Sequence, residues 1–125
     1  MGIATGIAFF LLGKSYYFDK DYPASLLALM AANQLLPNDS KILYYLGKSY
    51  AGLKEYSDAA LTFRKALKSE PENPNIHFSL GLSYHMLNKK KKVAETLDIL
   101  NMLDRSLYTK LSLQVNKICF AIALG

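Results

Sequence analysis

Three sets of side chains in this sequence place aromatic rings and cations at helical spacing: Phe10, Lys14 and Tyr17; Tyr44, Lys48 and Ala51; and Phe78, Leu82 and His85. Steps of four and then three residues put each set on one face of a helix. Rings offer apolar stacking surface, and ammonium groups offer charge-assisted hydrogen bonds. Together they suit a peptide that carries apolar anchors and a carboxylate or two. An aromatic stripe at this spacing is also what a helix presents to a core, so both readings stand at this point. Lys14 and Lys48 argue for the surface, because an unpaired ammonium is rarely buried.

Catalytic chemistry finds no comparable support. His77 and His85 have no Cys, Asp or Glu at ligand spacing near them, so no metal is expected. His77 reads as a packing residue. Glycine-rich phosphate loops, nucleophile motifs and paired carboxylates on a common face are absent from the sequence. The reading is a non-enzymatic chain with no cofactor. Cys119 is the single cysteine, which rules out an intrachain disulfide, and its neighbours Ile118 and Phe120 suggest packing over reactivity.

The elements that hold these residues repeat. Leu-Gly-Lys-Ser-Tyr occurs at Leu12–Tyr16 and Leu46–Tyr50 and returns as Leu-Gly-Leu-Ser-Tyr at Leu80–Tyr84, 34 residues apart each time. A fixed period of this size marks a solenoid whose units bury their apolar faces by stacking. In each unit a first apolar stripe (Phe9, Leu12, Gly13, Tyr16; Leu43, Leu46, Gly47, Tyr50; His77, Leu80, Gly81, Tyr84) precedes a second (Ser25, Leu29, Ala32; Ala59, Phe63, Ala66; Val93, Leu97, Leu100). Both have helical spacing, so each unit is a helical hairpin. Gly13 with Ala32, and Gly47 with Ala59 and Ala66, are expected where two helices approach closely. Turns are expected at Asp19–Pro23, Lys54–Ser57 and Asn88–Lys91. Asn38 or Asp39 and Asn73 are candidate N-caps, with Pro74 at a first helical position.

At these residues the chain resembles the tetratricopeptide repeat (TPR) family, most closely in the middle unit, where Leu46, Gly47, Tyr50, Ala59, Phe63, Ala66 and Pro71 fall on the family pattern. The resemblance implies an all-α fold, an α-solenoid of three TPR hairpins closed by a C-terminal capping helix. It divides a single domain, 1–125, into repeats at about 6–39, 40–73 and 74–105 and a cap at about 106–124. It further implies a concave groove lined by the first helix of each pair, which would make Phe10, Lys14, Tyr17, Tyr44, Lys48, Phe78, Leu82 and His85 the peptide-binding residues. Some members clamp the acidic tail of heat-shock chaperones. Here Phe10, Tyr45, Asn75 and Ser79 fill clamp positions and only Lys14 matches, so the resemblance points to adaptors, chaperones and assembly scaffolds that bind extended apolar segments.

Composition sets the outer bounds. Of 125 residues, 51% are hydrophobic and 20% charged, as in an ordinary globular domain. Fifteen Lys and Arg against ten Asp and Glu give +5, a mild basic bias concentrated at Lys89–Lys92, which reads as a solvated turn. No nucleic acid partner is expected. The opening segment Met1–Gly13 is too short for a membrane span and lacks a secretory n-region, so a cytoplasmic location is expected. Met1-Gly2 is discounted as a lipidation start because Gly6 stands where a hydroxyl residue belongs. Ile3, Ile7, Ala8 and Leu11 nevertheless leave the first helix apolar nearly all round, and the tail Ile118–Leu124 is equally apolar. Either further repeats of a longer array cover these faces or the ends mediate self-association, and self-association through the apolar terminal helices or the groove is the alternative to an adaptor role.

Overall fold

The computed structural model describes residues 2–124, with side chains described as far as residue 116. Seven helices follow one another: α1 (Ile3–Phe18), α2 (Tyr22–Leu35), α3 (Ser40–Gly52), α4 (Tyr56–Ser69), α5 (Pro74–Met86), α6 (Lys90–Leu103) and α7 (Arg105–Leu124). They pair as the hairpins α1–α2, α3–α4 and α5–α6, and each second helix also packs on the first helix of the next unit. The first helices touch in succession, α1 with α3 and α3 with α5, and α7 extends the row by packing on both α5 and α6. All described structure is helical, an all-α helical repeat.

Local chemistry explains where the helices start and stop. Lys20, Lys54 and Asn88 close the three hairpin turns in the left-handed region, at φ of 62, 63 and 58°, and they are spaced by the repeat period. That conformation ends a helix because a left-handed residue cannot continue a right-handed one. Asp39 caps α3 by accepting from Lys41 N and Ile42 N at 2.9 and 3.3 Å, while the preceding Asn38 supplies the turn at φ 65°. Asn73 caps α5 in the same way through Asn75 N and Ile76 N, with Pro74 as its first helical residue. Asp104 accepts from Leu107 N at the start of α7. Each such cap stabilises its helix by about 0.5–2 kcal/mol.

The core runs along the seam between first and second helices. Leu29, Ile42, Phe63, Ile76, Leu100 and Leu111 are fully buried, and the second-helix stripes expected from the sequence lie inside, with Leu97 half-buried. The glycines do permit close approach, but their partners differ from those the sequence suggested. A Cβ at Gly13 would lie 2.6 Å from Leu29 Cγ, and one at Gly47 would lie 2.6 Å from the Phe63 ring. The large residue one turn earlier, not Ala32 or Ala66, is what fills the notch. A Cβ at Gly81 would instead meet Leu111 of α7 at 2.7 Å and Thr96 at 2.9 Å, so α7 occupies the equivalent space in the third unit.

The first unit departs from its stripe. Leu46 and Leu80 are 5% exposed beneath the preceding second helix, whereas Leu12 at the equivalent place is 45% exposed. No second helix precedes α1 among the described residues, so Ile3, Ile7 and Leu11 are exposed with it. Ser25 stands where the other units carry an apolar residue, and it is buried because it has partners: Oγ donates to Gly13 O at 2.7 Å and lies 2.8 Å from Ser49 Oγ, which itself reaches Tyr45 O at 2.9 Å. Two hydroxyl protons serve three contacts, so one contact at a time is a lone-pair approach. The side chains of Ile118, Cys119, Phe120 and Ile122 lie outside the described residues.

Candidate functional site

Helices α1 and α3 face each other through aromatic rings. Tyr45 is the hub: its ring centroid lies 6.0 Å from Phe10, 5.7 Å from Tyr17, 6.0 Å from Phe18 and 5.3 Å from Tyr44, all edge-to-face. Tyr17 adds Phe18 and Tyr22 at 5.4 and 5.9 Å. Edge-to-face contacts of this kind contribute about 0.5–1.5 kcal/mol each beyond burial.

Two lysines are braced across this cleft. Lys14 on α1 holds its Nζ 5.4 Å from the Tyr45 ring of α3 and 5.9 Å from Phe10. Lys48 on α3 reciprocates, 5.9 Å from Tyr17 of α1 and 5.8 Å from Tyr44. Both lysines are half-buried. Among the described residues the one ion pair is Lys92 with Glu95 at 4.0 Å, so neither cleft lysine is neutralised. Ring faces replace part of the lost hydration, worth about 0.5–2 kcal/mol per contact, but supply no counter-charge.

Burial raises the Tyr17 phenol above its ordinary value of 10.0, and Tyr22 and Tyr45 beside it add to the shift. Tyr17 therefore stays protonated and available as a hydrogen-bond donor throughout the physiological range. Tyr50, raised by burial and then by Asp58 and Glu55, behaves alike.

The other sequence candidates sit apart from this cluster. Phe78 on α5 is half-buried and meets Lys110 of α7, whose Nζ lies 5.8 Å from its ring centroid. Leu82 and His85 are half-buried on the same helix. Tyr44 leans toward the core as well, 6.1 Å from Phe63, so it is part wall and part foundation. The residues that sequence reasoning missed are Tyr45, Phe18, Tyr22 and Lys110. A signal existed for the first two, since the runs Tyr16-Tyr17-Phe18 and Tyr44-Tyr45 spread rings over more arc than one stripe occupies. His77 is buried and its Nε2 lies 2.7 Å from Pro71 O, a packing role.

Beside the cleft, the start of α3 is tied to the start of α5. Glu70 accepts from Ser40 Oγ at 2.6 Å and from Asn73 Nδ2 at 2.5 Å, and these two donors hold its carboxyl below the usual value near 4.5. A crevice of about 80 Å³ opens there between Ser40, Lys41, Tyr44, Tyr45, Glu70, Asn73 and Ile76, with room for a small side chain only. Among the described residues no group of three His, Cys, Asp or Glu converges as a metal site would require, and no helix is long and apolar enough to cross a membrane.

Comparison with known proteins agrees with this architecture. The sequence model of the family described as TPR repeat matches residues 50–88. No curated protein matches the chain. Among solved structures, the first TPR of Spaghetti (RPAP3) bound to the HSP90 peptide SRMEEVD superposes with a TM-score of 0.82 at 15% identity, over 96% of this chain and 94% of that one. The Arabidopsis OM64 TPR domain gives 0.83 at 14% identity over 91% and 96%. The TPR2B domain of yeast Sti1, solved as a complex with pHsp70, gives 0.79 at 20% identity over 89% and 98%. The likenesses establish an α-solenoid. The matched family segment, residues 50–88, falls on the Leu-Gly-x-Ser-Tyr period.

Proposed function

We propose that this chain is a protein-interaction module that holds a peptide segment of a partner in the cleft formed by α1, α3 and α5. One observation carries the reading: Lys14 and Lys48 are half-buried between aromatic rings of two helices, without a carboxylate in reach. Folding gains the ring contacts but supplies no counter-charge, whereas a ligand that stacks on rings and offers a carboxylate does. Phe10, Lys14, Tyr17, Tyr44 and Lys48 form the main contact surface, with Phe78, Leu82 and His85 extending it along α5.

Two of the similar solved structures are described as bound to heat-shock peptides. Here Ser79 is buried and Asn75 carries an uncharged amide, so two clamp positions that the family resemblance implies offer no cation. The expected ligand is an extended segment with apolar anchors. Selection from a displayed random-peptide library tests this: wild type enriches peptides whose affinity falls at least about tenfold on Tyr45→Ala, the loss of roughly one ring-centred contact set. Enrichment of nothing, or of peptides indifferent to Tyr45→Ala, overturns it.

The second reading, self-association, is favoured by the exposure of Leu12 and the apolar side chains beside it on α1. Sedimentation across a range of concentrations tests it, and a monomer at every concentration excludes it.

A further inference from the structure

Acidic charge is unevenly placed among the helices, whereas Lys and Arg occur on first helices and on α4 and α6 alike. All ten acidic residues of the chain lie in turns, at caps or on the second helices α4 and α6; α1, α3, α5 and α7, about half the chain, carry none. The same four helices carry Lys14, Lys41, Lys48, Arg105, Lys110 and Lys117. Helix surfaces ordinarily mix signs, since Glu and Lys four residues apart stabilise a helix. The row of first helices forgoes this: Lys41 has Glu70 beside it, whereas Lys14 and Lys48 have no ion-pair partner among the described residues.

We propose that the occupant of the cleft is an internal acidic segment of a partner protein, with two carboxylates three residues apart, one on Lys14 and one on Lys48. The proposal rests on the peptide-binding reading above and names the chemistry of its ligand. Lys14 and Lys48 hold equivalent places one repeat apart on neighbouring helices in contact. Packed helices lie about 8–10 Å apart, and a polyproline-II segment places residues i and i+3 on the same side about 9 Å apart. A Glu-x-x-Glu segment in that conformation therefore lays one carboxylate on each braced ammonium while its backbone crosses the rings between them. The rings hold each Nζ within 6 Å of two centroids, so less side-chain freedom is lost when the carboxylate arrives. The carboxylates come from side chains, not from a chain terminus, because Lys14 and Lys48 each stand singly among rings, and a segment that lays one carboxylate on each carries them along its length.

The test uses short peptides, acetylated and amidated so that they have no terminal charge, each with one Phe beside Glu-x-x-Glu, Glu-x-Glu or Gln-x-x-Gln. Fluorescence anisotropy is read on wild type, the Lys14→Gln/Lys48→Gln pair, Tyr45→Ala and, as a charge control, Lys90→Gln/Lys91→Gln, with circular dichroism confirming that each variant is folded. Expected is a preference for Glu-x-x-Glu over Gln-x-x-Gln of at least about tenfold, as for charge-assisted hydrogen bonds, that disappears in the Lys14/Lys48 pair and survives in the control. Equal binding of Glu and Gln peptides that is still lost on Tyr45→Ala overturns the acidic ligand and leaves the cleft standing. A Glu preference that persists without Lys14 and Lys48 also overturns it, and places the acid-reading surface elsewhere. Binding of no peptide to wild type removes the cleft reading and this one with it.

Discussion

Gly47 shows how much of this fold depends on a single missing atom group. A Cβ there would sit 2.6–2.9 Å from three atoms of the fully buried Phe63 ring, which has no open space to move into. Gly47→Ala should therefore destabilise the protein by about 1–3 kcal/mol, the usual cost of overpacking, despite the better helix propensity of alanine. Urea unfolding measures it, and an unchanged midpoint would mean that the α3–α4 seam is looser than drawn. At the same scale Glu70 makes a pH-dependent contribution. Its folded carboxyl is held below 4.5 by Ser40 and Asn73, so the stabilisation is present above the unfolded value and is lost as pH falls through the folded one. Glu70→Gln should lose less melting temperature than wild type between about pH 6 and pH 3. Identical slopes would show that the Ser40 and Asn73 contacts are not kept in solution. Neither the Glu70 junction nor the Ser25–Ser49 pair was legible in the sequence. Both join residues 24 to 30 positions apart whose types have no periodic signature.

Among the elements, α1 is the one whose sequence and surroundings disagree. Its Leu12 stripe was legible as a core face because it repeats in α3 and α5, and the repeat does not register that no second helix stands before α1 among the described residues. Exposure follows the neighbour and not the residue: Leu46 beneath α2 is 5% exposed, and Leu12, with nothing before it among the described residues, is 45% exposed. Leu46→Ala should thus cost about 2–5 kcal/mol, and Leu12→Ala less than about 1. Thermal melts of the two variants decide the matter. A Leu12→Ala loss comparable to that of Leu46→Ala, at a concentration where wild type sediments as an oligomer, would show that α1 is covered in solution by another copy. The aromatic cleft was legible by half. The stripe Phe10, Lys14, Tyr17, Tyr44, Lys48 followed from helical spacing; the Tyr44-Tyr45 run put a second ring 100° further round α3, but that Tyr45 is the ring on which Phe10, Tyr17 and Phe18 converge shows only when α1 and α3 are placed side by side.

At the scale of the molecule, every helix contact joins neighbours in the chain or successive first helices, and no contact among the described helices reaches from the first hairpin to the last. Stability in such an array is a sum of unit and interface terms, so damage stays near its source. Gly81→Leu is the sharpest test, because its side chain would collide with Leu111 and Thr96 and so press α7 and α6 off α5 together. The other face of α5 packs on α4, away from this collision, and the Tyr45 cluster is built from α1, α2 and α3 alone. Amide hydrogen exchange should therefore rise in α5, α6 and α7 while α1 to α3 keep their protection, and a peptide bound at Lys14 and Lys48 should lose little affinity. A uniform loss of protection over all helices would instead mean that the cap stabilises the whole array cooperatively. The cleft would then depend on a helix that touches none of its rings except Phe78.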